Sequence, residues 1–175
     1  VPGGSSMIIP NNEITIADLG SMYSLDIDVA GFSSFYISGI SQNLSICPGS
    51  TITVPSAING SSYQWQVDNG SGYTNVVNNA TYTGSALKAL TISYATGGMY
   101  GYKYRCLVNG DTYSQVYTLK FTATWQGTVS NAWENAANWS CGVLPDASTD
   151  VILESGKNNY PQVNTNTAIR SLKAG

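Results

Sequence analysis

The chain has 175 residues, enough for one ordinary domain or a small one with partial neighbours, and its 42% apolar content is sufficient for a packed core. Only 10% of residues are charged, against roughly 25% in a typical soluble domain, and the net charge is −3. The seven basic residues are scattered, which excludes the phosphate-neutralising footprint of a nucleic-acid binder and the basic helix of a membrane-surface protein.

There is no histidine. That removes the commonest general base, the usual Ser and Cys triads and the usual zinc ligand sets. No apolar run is long enough to cross a bilayer as a helix. The start at Val1, with no signal-peptide pattern, reads as a mature or excised fragment and is compatible with secretion.

Short runs rich in Val, Ile, Thr and Tyr alternate with Gly, Asn, Ser and Pro clusters, and helical periodicity is nearly absent. Three blocks follow in chain order. In residues 1–40, strands are expected at Ile14-Thr15-Ile16, Tyr23 to Val29 and Phe35-Tyr36-Ile37. Tyr23, Leu25, Ile27 and Val29 share one face, and Ser24, Asp26 and Asp28 the other. Two or three strands make no independent core, so this block reads as the end of a preceding module.

Residues 41–124 have the length of a full sandwich, with strands expected near 42–46, 50–54, 62–67, 73–77, 88–93, 101–108 and 113–123. Asn59-Gly60, Asn69-Gly70, Gly97-Gly98 and Asn109-Gly110 supply the positive φ angles of tight turns. Asn109-Gly110 marks the clearest hairpin. Residues 125–175 open with Trp125, Trp133 and Trp139, continue with short strands at 150–153 and 168–172, and read as the start of a following module. Nothing repeats well enough to indicate a solenoid.

Three features point to one architecture. Tyr63-Gln64-Trp65-Gln66-Val67 alternates so as to put Trp65 inside, where immunoglobulin sandwiches place a strand C tryptophan. Tyr104 lies two residues before Cys106, the spacing of the tyrosine corner, in which the hydroxyl turns back to the backbone. Cys47-Pro48-Gly49 to Val54, Tyr63 to Gln66 and Gly101-Tyr102-Lys103-Tyr104-Arg105-Cys106 together resemble the immunoglobulin-like repeats of modular surface proteins in Bacteroidetes-type bacteria. The resemblance covers essentially all of 41–124.

The expected fold is therefore all-β, an immunoglobulin-like antiparallel β-sandwich with short β-rich flanking segments. The flanks are similar to parts of the same kind of protein: Val29 to Ile37 to a closing strand, and Trp125-Gln126-Gly127, Trp133, Asn138-Trp139 and Pro145 to Leu153 to a tryptophan-marked β module. The resemblance implies a slice of a longer chain, exported by the type IX route and held at the cell surface.

It also implies a Cys47–Cys106 link, although Cys47 lies before strand B rather than late in it. Such a link would close a loop of about 60 residues and stabilise by about 4 kcal/mol. Pairing of Cys47 or Cys106 with Cys141, or thiols that stay reduced and buried, are the alternatives, since three cysteines leave one over.

Trp125, Trp133 and Trp139 have two readings: large side chains for a core poor in aliphatics, or a stacking platform for sugar rings. Tyr102 and Tyr104 share a face with Cys106 and read as packing. Asp26 with Asp28, Asp146 with Asp150, and the isolated Glu134 and Glu154 form no recognisable glycosidase pair and no loop rich enough in oxygens for calcium. The expectation is a non-enzymatic structural or adhesive module, without cofactor or metal. Its partners would be other protein modules or copies of itself. The alternative is a carbohydrate-binding module that uses the three tryptophans on an extracellular glycan.

Overall fold

A computed structural model of the chain describes residues 41–175, which form one compact unit. The strands expected at 14–16, 23–29 and 35–37, with Asp26 and Asp28, lie outside the described residues.

Eleven strands are formed among the described residues: β1 (Ser41–Ile46), β2 (Ile52–Pro55), β3 (Tyr63–Asp68), β4 (Tyr73–Asn75), β5 (Tyr82–Thr83), β6 (Ala89–Ile92), β7 (Lys103–Val108), β8 (Thr112–Tyr113), β9 (Val116–Thr124), β10 (Thr149–Leu153) and β11 (Ser171–Ala174). The smaller sheet runs β2-β6-β5 and is antiparallel. The larger runs β11-β10-β9-β7-β3-β4, with β1 beside β9 and β8 beside β7.

β2-β6-β5 corresponds to the B, E and D strands of an immunoglobulin sandwich; β3, β7 and β9 correspond to C, F and G, and β4 adds the extra edge strand of the variable type. The fold is all-β and immunoglobulin-like. The pairing of β1 with β9 is parallel, in register from Ser41↔Val116 to Ile46↔Phe121.

Alternation places the core. Trp65, Tyr104, Cys106 and Val108 point inward from β3 and β7, and Val54, Leu90 and Ile92 meet them from the smaller sheet. Trp65 is fully buried, pairs with Cys106 across the ladder, and donates its indole N–H to Leu87 O at 3.0 Å. That bond removes the cost of a desolvated donor, so the largest core side chain leaves no orphan.

Turn chemistry departs from expectation at two of four sites. Asn109 (φ 54°) and Gly110 (φ 83°) are left-handed at the tip of the β7–β8 hairpin, and Gly70 also has positive φ. Gly60, Gly97 and Gly98 do not. Gly60 is needed for close approach instead, since a Cβ there would run into the side chains of Val108 and Asn109. Gly97 and Gly98 open a 3-10 turn. The expected run 113–123 is broken after Tyr113. The pairing shifts by one residue between Leu107↔Tyr113 and Tyr104↔Tyr117, a bulge in which the Ser114 hydroxyl accepts from Cys106 N–H at 2.9 Å.

The last strands are parallel. β10 joins β9 from Thr149↔Phe121 to Ile152↔Thr124, and β11 joins β10 from Asp150↔Ser171 to Leu153↔Ala174. β1 and β10 thus share one edge of β9 end to end, and both reach it at Phe121. The alternate residues Tyr117, Leu119 and Phe121 enter the sandwich core, while Ala123 and then Trp125 enter a second cluster with Trp133, Trp139 and Val151. The boundary expected between 124 and 125 falls on this uninterrupted alternation, with Trp125 N–H still donating to Ile152 O at 2.9 Å. Limited proteolysis of the oxidised chain should therefore give no early cut between Lys120 and Gly127; an early cut there would show that the sandwich and the tryptophan block part as separate modules.

Candidate functional site

Two places gather the polar and aromatic side chains that could carry function. One is the seam where β1 hands its edge of β9 to β10; the other is the outward face of β4, β3, β7 and β8.

At the seam, Cys47 follows the last paired residue of β1. Ser140 N–H donates to Thr124 O at 2.9 Å and holds the loop containing Cys141 beside the same strand. The two cysteines are disulfide-bonded, with Cα atoms 5.5 Å apart. This corrects the Cys47–Cys106 link. Cys47 lies between β1 and β2, bonded to Cys141, and Cys106 is a free, buried thiol set against the Ser56 hydroxyl. Burial pushes that thiol above its ordinary range and keeps it protonated. The bridge joins residues 94 apart, for which loop entropy corresponds to about 4.6 kcal/mol.

Asp150, on β10, is the polar hub of the seam. Tyr100 Oη donates to Oδ2 at 2.8 Å, Arg170 Nε donates to Oδ1 at 2.7 Å, and the Ser171 hydroxyl donates to Oδ1. The Arg170 guanidinium also lies 4.2 Å from the centroid of the Tyr100 ring, which itself packs against the sandwich core. Partial burial works against the charged carboxyl, but the hydrogen bonds from Ser171, Arg170 and Tyr100 outweigh it and hold Asp150 below its ordinary value of 3.8.

The tryptophans lie behind the seam. Trp125, Trp133 and Trp139 are 0%, 5% and 2% exposed. Their rings meet edge to face, at 5.0 Å for Trp125–Trp139 and 4.5 Å for Trp133–Trp139. This corrects the sugar-platform reading, which requires exposed, coplanar rings. Trp125 donates to Asn159 O at 2.7 Å and Trp139 to Trp133 O at 2.9 Å. Trp133 Nε1 has no partner among the described residues.

Asn138, fully buried among them, accepts from Val129 and Ser130 N–H and donates to Ser130 Oγ and Ala132 O. All four capacities of its amide go into the loop 129–132.

Tyr104 is fully buried, but its hydroxyl meets the Tyr82 hydroxyl at 3.2 Å rather than turning to the backbone. The backbone contact is made by Tyr117, which donates to Pro55 O at 2.8 Å. Tyr104 and Tyr117 are paired inward residues of neighbouring strands, and it is Tyr117 whose hydroxyl reaches strand β2.

The other carboxylates are engaged in local structure. Asp146 accepts from the hydroxyls of Ser148 (2.6 Å) and Thr149 (2.8 Å) and from Ser148 N–H. Glu134 accepts from Asn164 N–H, Thr165 N–H and the Thr165 hydroxyl. Glu154 pairs with Lys157 at 2.8 Å, and Asp68 accepts from Gly70 and Gly72 N–H. Among the described residues no group of three or more metal-ligating side chains converges.

On the outward face, Arg105 lies between two aromatic rings. Its guanidinium carbon is 3.8 Å from the ring centroid of Tyr73 and 3.8 Å from that of Tyr113. Its Nε donates to Gln66 Oε1 at 2.9 Å, and Gln66 Nε2 donates to Asn75 Oδ1 at 3.0 Å. Asn75, Gln66 and Arg105 form one row across three strands. Alternation alone puts Gln66 and Arg105 on this face; the sandwiching of Arg105 needs the strand pairing and was not visible in the sequence.

No protein-family model matches the chain, and no curated protein matches it. Among solved structures, one similar chain is that of the extracellular domains of the voltage-gated sodium channel beta4 subunit, whose parallel homodimers are described as explaining a role in cell-cell adhesion. It is 14% identical, with a TM-score of 0.35, and the match covers 50% of this chain and 91% of that one. A TM-score this low does not identify a homologue.

Two outcomes are expected from the seam. Non-reducing peptide mapping should recover Cys47 joined to Cys141, with Cys106 alkylated only after unfolding; replacing Cys47 and Cys141 together by Ser should cost ~2–5 kcal/mol in urea unfolding. A carboxyl whose folded pKa is depressed adds stability above its unfolded value and loses it as pH falls through the folded value. Stability should therefore decline as pH drops below 3.8, and Asp150→Asn should be less stable near neutrality while showing a shallower decline. Parallel pH profiles would exclude Asp150 as a contributor.

Proposed function

We propose that the chain is a non-catalytic structural and adhesive module of a secreted bacterial cell-surface protein, carried outside the cell by the type IX route. The carrying observation is the seam: one strand feeds two cores, and a disulfide ties the start of that strand array to the loop beyond it. Disulfides persist in oxidising, extracellular compartments, which supports the location. The low-charge surface of Ser, Thr, Asn and Tyr suits an exposed module, and the resemblance of 41–124 to surface-protein repeats supports the bacterial setting. Partners in this reading are neighbouring modules and copies of the same chain. On the same reading, residues 1–40 and 125–175 belong with adjoining modules, the latter docked along β9.

The seam predicts a mechanical property. Tension applied at Ser41 and Gly175 travels through β1 to Cys47, crosses the disulfide to Cys141 and leaves the 94-residue loop outside the force path. Pulled chains in oxidising buffer should release none of that loop, whereas reduced chains should gain about 300 Å when it extends, at roughly 3.3–3.6 Å per residue. Parallel β1 and β9 would then be loaded along their length, with the six residue pairs between Ser41↔Val116 and Ile46↔Phe121 sharing the force. Unravelling of the reduced sandwich at forces no greater than those that straighten an unfolded chain would count against a load-bearing role.

A further inference from the structure

The outward face of β4, β3, β7 and β8 presents Tyr73, Asn75, Gln66, Arg105, Leu107 and Tyr113. Arg105 is held in place on three sides: by the Tyr73 ring, by the Tyr113 ring, and by Gln66 at its Nε. Its two terminal nitrogens make no hydrogen bond to any described residue. A stacked guanidinium whose fork is unoccupied among the described residues matches a carboxylate in a bidentate arrangement, and little side-chain entropy is left to lose when one binds. Cation–π contact with both rings sets the plane of the fork in advance.

The neighbouring groups indicate what bears the carboxylate. Leu107 is the one aliphatic side chain among these six, so the face lacks the apolar core that desolvates a protein interface. The amide nitrogen of exposed Asn75 matches a sugar hydroxyl, and Tyr113, a residue 44% exposed, offers apolar surface to a pyranose. Lys103, on the same face of β7, adds a second positive charge, and Asp68, paired with it across the ladder, adds one negative charge, so the face stays positive by one.

We propose that this face binds an acidic saccharide, with a hexuronate carboxylate on the free end of Arg105 and the sugar ring against Tyr113. The proposal rests on the adhesive reading above and gives it a ligand class. It uses none of the three tryptophans.

Calorimetric titration of the oxidised chain with oligogalacturonate should show saturable binding. The methyl-esterified oligomer should bind at least about tenfold more weakly, because the ester cannot accept in both positions with full charge. Arg105→Gln and Arg105→Lys should each lose about tenfold or more, since an ammonium keeps the charge but not the fork. Where Arg105→Gln lowers the melting temperature, Tyr113→Ser at the exposed rim decides, with a loss of about threefold or more expected on the scale of one stacking contact.

No saturable binding, equal binding of acid and ester, or unchanged binding by both the Arg105 and Tyr113 variants would each overturn the proposal. Tighter binding of oligoglutamate than of oligogalacturonate would overturn it in favour of an acidic protein partner. A chain that remains locked under tension yet ignores the oligosaccharide would lose this site alone and keep the structural role.

Discussion

The structure between Ser41 and Gly175 depends on the unbroken alternation of β9. A strand whose side chains alternate with period two commits every second residue to one face, and a single slip would exchange the two sets. From Tyr117 to Trp125 the inward set serves first one core and then another. The edge of the same strand is divided likewise, β1 taking the first part and β10 the last. A strand used twice in this way cannot move relative to either partner without disturbing both ladders, and that couples the stability of the tryptophan cluster to that of the sandwich.

The other links sit where that arrangement is weakest. At Phe121 the ladder changes partners, and a change of partner leaves strand ends to fray. Cys47 and Cys141 close one side of that point. Asp150, bonded to Tyr100, Arg170 and Ser171, closes the other. The Asp150–Arg170 pair, with its arginine exposed, contributes little by itself, and the hydroxyls of Tyr100 and Ser171 add to it. Asp150 draws on two hydroxyls and a charge from two distant parts of the chain, and the disulfide acts on the unfolded ensemble, so the two devices act through different terms.

Strand positions within 41–124, the inward placing of Trp65 and the Asn109-Gly110 hairpin were legible because each follows from local alternation and turn chemistry. The cysteine pairing was not. It depends on β1 crossing to the edge of β9, which the sequence around Cys47 does not encode, and a motif borrowed from immunoglobulin domains pointed to Cys106 instead. Tyr104 misled for a similar reason: its spacing from Cys106 is right for a corner, but Tyr117 holds the backbone contact and Tyr82 receives the Tyr104 hydroxyl. The hubs at Asp150 and Arg105 join side chains far apart in sequence, and only pairing partners reveal them. Asn138 left a faint trace, an amide beside Trp139 in a stretch otherwise reading as loop.

The three tryptophans show why residue type alone could not separate a core from a ligand platform. The second cluster has Ala123 and Val151 as its fully buried aliphatics, too little surface to exclude water by themselves, and each indole brings on the order of 200 Å². Large rings therefore compensate for a short supply of aliphatics. Edge-to-face contacts order them, and two of the three indole N–H groups find carbonyl partners. The exposed aromatic side chains lie elsewhere, Tyr94 and Tyr160 in loops and Tyr113 on a face whose alternating positions carry amides and a stacked guanidinium. With its tryptophans inside and a polar, aromatic-rimmed cation outside, the unit separates the residues that hold it together from those its sheet face exposes. The position of Arg105 between its two rings depends on the pairings of β3 with β4 and of β7 with β3 and β8.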